Sequence, residues 1–525
     1  MDVVHVGTGP LTPAEVVAVA RGGAPVALTD EALAAIDQAR AVVDALALAA
    51  TPSYGVSTGF GALATRHIPV EKRAQLQRSL VRSHAAGSGP EVEREVVRAL
   101  MLLRLSTLAT GHTGVRRETA LLLGDLISNQ ITPVVREYGS LGCSGDLAPL
   151  AHCALALMGE GEVRDASGEL VPASAALSAA GLRPVELAEK EGLALINGTD
   201  GMLGMLLLAL HDLEVLLRTA DIAAAMSVEA QLGTDRVFAA DLMALRPHPG
   251  QAASAANLTA LLDGSGVVAS HRGTPESGTQ CNRVQDAYSL RCSPQVHGAA
   301  RDTIAHALAV AGRELAAAID NPVVLPEEGR VESNGNFHGA PVAYVLDFLA
   351  IAAADVASIS ERRTDRFLDK VRSHGLPPFL ADDPGVDSGL MIAQYTQAAI
   401  VSELKRLAVP ASVDSIPSSA MQEDHVSMGW NAARKLRRSV DGLARVLAVE
   451  VMTAARALDL RISTGSTTGV RPSRAGAAVV RLLRDAGIAG PGPDRHLSPE
   501  IEATHQLVIV GAVVDAAQSA IGEMR

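Results

Sequence analysis

The sequence predicts a mainly α fold, with a mixed N-terminal domain and then a bundle of long helices. Three observations predict it. Apolar residues recur at helical spacing over long stretches, at about 201–232, 294–319, 340–369, 390–408 and 427–461. Several of these runs are apolar most of the way round, as in helices buried on all sides. Alanine is abundant while aromatics make up only 2%, which suits helices that approach one another closely. The chain has 525 residues, 48% hydrophobic and 20% charged, enough for a large core and more than one domain-sized unit.

Residues 1–60 mix short β-like runs with helix. Firm helical periodicity begins at 90–110. Pro90, Glu91 and Glu93 suit a first turn, Val92, Val96, Leu100 and Leu103 share a face, and Gly111 stops the run. Residues 146–159 predict another helix, whose positive N-terminal end points back at the loop before it. That end favours developing negative charge there by about 0.3–1 kcal/mol. Residues 160–195 read as irregular, with a turn at Asp165-Ala166-Ser167-Gly168. The run from 201 has Thr199 or Asp200 as its cap and Gly233 as its stop. Residues 462–475 and 485–497 read as loops, and 271–283 as a variable loop. A cut near residue 200 therefore separates an N-terminal domain, 1–200, from a helical remainder, 201–525.

The formal charge is −13, from 58 acidic and 45 basic residues. It argues for solubility and against nonspecific nucleic-acid binding. The four cysteines, at 143, 153, 281 and 292, form no Cys-x-x-Cys pair, and no histidine pair has zinc spacing, so no metal is expected. So few cysteines suit a reducing cytoplasm. The N-terminus lacks a basic region followed by an apolar stretch, and no run of about 18 uncharged apolar residues appears. Neither a signal peptide nor a membrane span is expected, and the localisation expected is cytoplasmic.

The most informative stretch is 139–152, Gly-Ser-Leu-Gly-Cys-Ser-Gly-Asp-Leu-Ala-Pro-Leu-Ala-His. It holds Cys143-Ser144-Gly145 in a loop with Gly139 and Gly142 just upstream. Glycines permit φ angles and close approaches that other residues resist. A serine held so tightly can have its own backbone attacked by the following amide nitrogen, and loss of water then leaves an electrophile. No ordinary side chain is an electron sink, so a chain without a bound cofactor gains one only through such chemistry. On glycines and one serine alone, an ordinary loop leading into a helix explains the stretch as well.

The whole run resembles the signature of the aromatic amino acid ammonia-lyase family. There an Ala-Ser-Gly tripeptide closes autocatalytically into 4-methylidene-imidazol-5-one (MIO). Here Cys143 replaces the commoner alanine, at a position whose side chain hangs off the ring and is not consumed. The resemblance implies a fumarase/aspartase-like helical architecture and a homotetramer whose active sites draw on more than one subunit. It also implies no diffusible cofactor.

Elimination of ammonia from an α-amino acid needs a grip on the carboxylate, a better leaving group at nitrogen and removal of a weakly acidic β-proton. Arginine's planar fork suits the carboxylate, and Arg291 lies in Gln285-Asp286-Ala287-Tyr288-Ser289-Leu290-Arg291-Cys292. That stretch resembles the family's second signature, in which Gln285 and Tyr288 also match positions lining the site. Taken alone, Arg291 would equally suit a surface ion pair. The resemblance makes Tyr54, in Tyr54-Gly55-Val56-Ser57-Thr58-Gly59-Phe60-Gly61, the base. A free phenol has a pKa of about 10, so that role requires it lowered or desolvated. The dinucleotide-like Gly59-Phe60-Gly61-Ala62-Leu63-Ala64 has no preceding strand or βαβ unit and is set aside. Asn197, otherwise a turn and cap residue, matches an asparagine beside the MIO that helps place the amine. Phe337, in Asn334-Gly335-Asn336-Phe337-His338-Gly339, matches a phenylalanine bordering the pocket.

Two places bear on the substrate. Ser83-His84 and Glu423 match positions facing the substrate side chain in members acting on histidine, where phenylalanine-acting members carry apolar residues and glutamine. An imidazole has two ring nitrogens that want partners, and a carboxylate accepts a hydrogen bond from one. A phenyl ring offers Glu423 nothing, and an unpaired buried carboxylate is costly. Each residue alone also fits a core histidine or a cap. Together they imply elimination of ammonia from L-histidine to give trans-urocanate. The alternatives are phenylalanine or tyrosine as substrate, an aminomutase using the same group, or a catalytically dead helical scaffold.

Overall fold

The computed structural model describes residues 2–48, 58, 68–142, 145–271, 284–463, 467 and 469–525. Helices dominate the described chain, and its strands are short and pair in twos and threes. The chain divides into two compact units. One takes the residues up to Ala209 with Leu308–Asp347 and Pro410–Arg434; the other takes Leu210–Ala307, Phe348–Val409 and Lys435–Arg525. This division is discontinuous in sequence, unlike a single cut near residue 200. Four of its five boundaries fall inside the helices Asp200–Ala230, Ser293–Leu315, Ala340–Leu368 and Gly429–Ser463, and the fifth, between Val409 and Pro410, lies just past the helix Met391–Leu407.

The first unit opens with parallel strands Val4–Val6 and Val26–Leu28. Between them lies the helix Pro13–Ala20. Thr12 caps that helix. The Glu15 amide donates to the Thr12 hydroxyl, and the Glu15 carboxylate accepts from the Thr12 amide at 2.7 Å, satisfying two otherwise orphaned donors. The helix Arg94–Ala109 is buried from Val96 through Ala109. Its expected start at Pro90 is displaced, because Ser88–Glu91 forms a strand antiparallel to Arg136–Tyr138 and the Val92 amide donates to the Val135 carbonyl. Proline's fixed φ suits an extended edge as well as a first helical turn, and pairing with a distant strand decides between them. Residues 160–195 are more regular than expected. Strands Glu162–Arg164 and Leu170–Pro172 join Thr132–Pro133 in one sheet. The anticipated turn links them, with the Asp165 carboxylate accepting from the Ser167 and Glu169 amides at 2.8 and 3.0 Å.

In the second unit, polar groups on the long helices are paired inside the core. Arg363 and Glu450, both fully buried, meet at 2.5 Å, and Ser227 and Ser360 donate to the same carboxylate at 2.7 and 2.6 Å. Buried Asp221 accepts from His297 at 2.8 Å, Ser254 at 2.6 Å and Arg301 at 2.7 Å. Burial pushes its carboxyl up, but His297 and Arg301 outweigh it and hold the group at about 2. Breaking such a buried pair from one side costs about 3–5 kcal/mol.

Among the described residues, Ala340–Leu368 alone is long and apolar enough to cross a membrane, with an 18-residue window of mean hydropathy 1.9. That window is 61% buried inside the protein, and the helix carries Asp347, whose carboxylate accepts from the Ser412 amide at 2.7 Å. Tyr344, Phe348 and Ile351, spaced i, i+4 and i+7 on the same helix, are exposed.

Candidate active site

In the first unit, Gly142 and Gly145, on either side of positions 143 and 144, stand where a side chain would not fit. Gly145 has φ +77°, and a β-carbon built there would lie 2.0 Å from the Gly198 carbonyl oxygen. The two residues form a parallel bridge, and the Asp146 amide donates to the same oxygen at 2.6 Å. Gly142 has φ +68°, and a β-carbon there would lie 2.4 Å from the Ser427 hydroxyl. That hydroxyl donates to the Gly142 carbonyl at 2.7 Å, and the Gly339 amide donates to it at 3.1 Å. Cys143 and Ser144 lie outside the described residues, as does Tyr54.

Asp146, which follows the tripeptide directly, is fully buried. It accepts from the Ser140 hydroxyl at 2.8 Å and from the Gly201 and Met202 amides at 2.9 Å each. It thereby ties the loop to the first turn of the helix Asp200–Ala230, whose free amides carry the helix's positive end. Burial raises its carboxyl to about 7 against these hydrogen bonds.

Asn197 is buried, with its Nδ2 donating to the Asn321 carbonyl at 3.0 Å. Among the described residues nothing hydrogen-bonds its Oδ1. Behind it lies a buried charged cluster. Arg104 donates to the Asn197 carbonyl at 2.6 Å and stands 3.6 Å from Asp200, while Lys190 and Asp320 pair at 2.5 Å. Burial holds both Lys190 and Asp320 towards their neutral forms. Burial also raises the carboxyls of Asp200 and Glu314.

The other candidates in this unit sit on neighbouring loops. Ser83 and His84 end the helix Arg73–His84, where His84 Nδ1 is 2.8 Å from the Leu80 carbonyl. The segment after them runs against the loop, since a β-carbon on Gly139 would lie 3.2 Å from the Gly87 α-carbon. Phe337 is half-buried in the turn before Gly339. Its neighbour His338 stacks on His425, with centroids 5.6 Å apart and planes 5° from parallel. Glu423, half-buried, is anchored through its backbone to Ser418, and its carboxylate accepts from the Ser418 hydroxyl at 3.0 Å. The loops carrying Phe337 and Glu423 are therefore brought together by the two stacked rings.

Gln285, Tyr288 and Arg291 belong to the second unit. Gln285 and Tyr288 are exposed. Arg291 ends the short helix Tyr288–Arg291, with its guanidinium carbon 4.8 Å from the Tyr288 ring centre. Its Nε is buried and without a hydrogen-bond partner among the described residues.

The sequence reading missed Asp146, Arg104, Lys190 and His338. A signal existed for two of them. Asp146 adjoins the tripeptide, and Arg104 is a charge within the apolar run Leu100–Leu105. Nothing local marks Lys190, whose partner lies 130 residues away.

A ring made from residues 143–145 would require a glycine with a tightly folded backbone at its last position. Gly145 fits that requirement, because the Gly198 carbonyl occupies the space a side chain would need. The acceptor Asn197 Oδ1, one residue from Gly198, also suits an amine brought up to such a group.

Residues 11–485 match the model of the family described as aromatic amino acid lyase. The chain is similar to histidine ammonia-lyase of Streptomyces coelicolor, 66% identical over 525 residues and 100% of both chains. It is also similar to the crystal structure of histidine ammonia-lyase from Trypanosoma cruzi. That match has 37% identity and a TM-score of 0.89, over 99% of this chain and 96% of the other. A tyrosine aminomutase structure from Streptomyces globisporus matches at 37% identity and TM-score 0.91, over 99% and 100%.

Proposed function

The chain belongs to the aromatic amino acid lyase family, and we propose that it is a carbon–nitrogen lyase removing ammonia from L-histidine to give trans-urocanate. The single observation that carries the chemistry is the Gly145–Gly198 contact beside Asn197 Oδ1, which has no partner among the described residues. The substrate rests on the full-length similarity to the Streptomyces coelicolor histidine ammonia-lyase and on Ser83, His84 and Glu423.

The MIO formed from Cys143-Ser144-Gly145 supplies an electron-poor methylidene carbon that makes the substrate's nitrogen a better leaving group. The chain's own residues do the rest. The Arg291 guanidinium binds the carboxylate, with Gln285 and Tyr288 beside it. Asn197 Oδ1 accepts a hydrogen bond from the substrate's nitrogen. Tyr54 takes the β-proton. His84, with Ser83, and Glu423 hold the imidazole, and Phe337 borders the pocket. A site built to hydrogen-bond its substrate's ring rejects an apolar analogue by ~10⁴-fold or more.

The enzyme works in this reading as a cytoplasmic homotetramer with shared active sites. The exposed stripe of Tyr344, Phe348 and Ile351 supports contact between copies, and the −13 charge and sparse cysteines support the compartment.

Two measurements test this reading. Intact mass should fall short of the sequence mass by two waters, with a near-ultraviolet band from the ring. Purified protein given L-histidine, L-phenylalanine and L-tyrosine should release ammonia from histidine. An unmodified mass in active protein, or β-amino acid as the product, would overturn it.

A further inference from the structure

We propose that Arg104 is a positioning residue for this reaction, fixing Asn197 so that its Oδ1 is presented as a hydrogen-bond acceptor to the substrate's nitrogen. The proposal rests on the functional reading above.

Arg104 lies on the helix Arg94–Ala109 and is 2% exposed. Its Nη1 donates to the Asn197 carbonyl at 2.6 Å and to the Ala194 carbonyl at 3.3 Å, and its Nη2 donates to the Ile319 carbonyl at 2.9 Å. Asp200 stands 3.6 Å away and balances the charge. A β-carbon on Gly198 would meet Nη1 at 2.9 Å and Nη2 at 3.0 Å, so the guanidinium packs directly under the residue that touches Gly145. One planar group thus ties residues 194–200 to residue 319, beside Asn321. Only arginine carries donors spread over such a fork; lysine is a single point.

The consequence falls on the Asn197 amide. An amide offers one acceptor and two donor hydrogens. Its backbone carbonyl is held by Arg104, and its Nδ2 is committed to the Asn321 carbonyl at 3.0 Å. What remains is the second Nδ2 hydrogen and Oδ1, and of the two side-chain atoms it is Oδ1 that is buried with no partner among the described residues. A buried acceptor without a donor is unfavourable, and an N–H on the ligand relieves it. The carbonyls of Asn197 and Ile319, which Arg104 holds, flank the residues whose mutual contact sets which end of the amide faces out.

The test is a double-mutant cycle on the full-length enzyme, reading urocanate formation from L-histidine together with the near-ultraviolet band and the thermal midpoint. Arg104→Lys should keep the band and lower kcat by about 10- to 100-fold, the scale of a misplacement of about 1 Å, with a smaller change in KM. In an Asn197→Ala background the same change should cost about twofold or less, because coupled residues are not additive. An equal fall in both backgrounds overturns the proposal, as does loss of the band, which would put Arg104 in ring formation instead. If Arg104→Lys does not fold, Arg104→Gln combined with Asp200→Asn removes both buried charges and enters the same cycle with the same outcomes. A wild-type protein inert towards histidine but active on another amino acid would sink the substrate reading, while the cycle, run on that other substrate, would still decide the role of Arg104.

Discussion

Replacing Asp146 by asparagine should change how stability depends on pH, in a direction and by an amount that the burial of this carboxyl sets. Asp146 is fully buried and its pKa is raised by burial from 3.8 to about 7. Below pH 3.8 both folded and unfolded chains carry the proton, and the group costs nothing. Between about pH 4 and 7 the unfolded chain ionises while the folded one stays protonated, so stability falls as pH rises. The folded and unfolded values lie about 3 apart on the pH scale. At about 1.36 kcal/mol per unit that difference amounts to about 4 kcal/mol, all of it lost by pH 8. Asparagine cannot ionise, so this slope disappears in the variant. It can still accept from the Gly201 and Met202 amides, both of which meet one carboxylate oxygen, Oδ2, and place its amide nitrogen near the Ser140 hydroxyl. If the 525-residue chain melts as one, with about 2.1 cal/mol/K per residue, 4 kcal/mol corresponds to about 4 °C. Thermal midpoints of Asp146→Asn and wild type, taken from pH 4 to pH 8, should therefore diverge by several degrees in favour of the variant. Parallel curves across that range would refute the reasoning, because they would mean the carboxyl ionises in the folded protein at its ordinary pKa.

Three further outcomes follow from the proposed reading. Ser144→Ala should abolish nearly all turnover and the two-water mass deficit while leaving the fold intact; full activity in that variant would end the assignment. Glu423→Gln should lower kcat/KM for L-histidine by about 10- to 100-fold, the range for losing a charged hydrogen-bond partner. The thermal midpoint should stay where it is, because the backbone bridge between Ser418 and Glu423 does not use the carboxylate; an unchanged rate would remove Glu423 as a ring partner. Gly198→Ala should destabilise by about 1–3 kcal/mol, since its β-carbon would lie 2.4 Å from Asp200 Oδ2 and 2.9 Å from Arg104 Nη1; calorimetry showing no loss would mean that the buried cluster relaxes freely.

What the sequence made legible is what local rules control. The long helices are visible because an apolar period over twenty or thirty residues is a local property, and Ala340–Leu368 and Met391–Leu407 fall within a residue or two of the expected bounds. The need for glycine at 142 and 145 is legible for the same reason, and both take positive φ. What those glycines make room for is not. The Gly198 carbonyl lies 53 positions beyond Gly145 and the Ser427 hydroxyl 285 beyond Gly142, and no pattern within a window links them. Pro90 shows the limit from the other side. Its fixed φ satisfies two local rules equally, and only the strand at 136–138 selects between them. Asn197 is the case where the site itself escapes local reading. Followed by glycine, it carries the signature of a turn, yet its backbone sits at φ −105° and ψ 95° and its side chain is spent on a carbonyl 124 residues away. Arg104, more than 90 residues upstream in the sequence, holds it there. A charge inside an apolar helix was therefore a local sign that something at distance needed fixing, since a buried guanidinium is costly unless acceptors meet it, and Arg104 finds three carbonyls far away in the chain. The residues that determine what the site presents are thus visible in sequence mainly as local anomalies, and their meaning lies in the carbonyl groups they meet after folding.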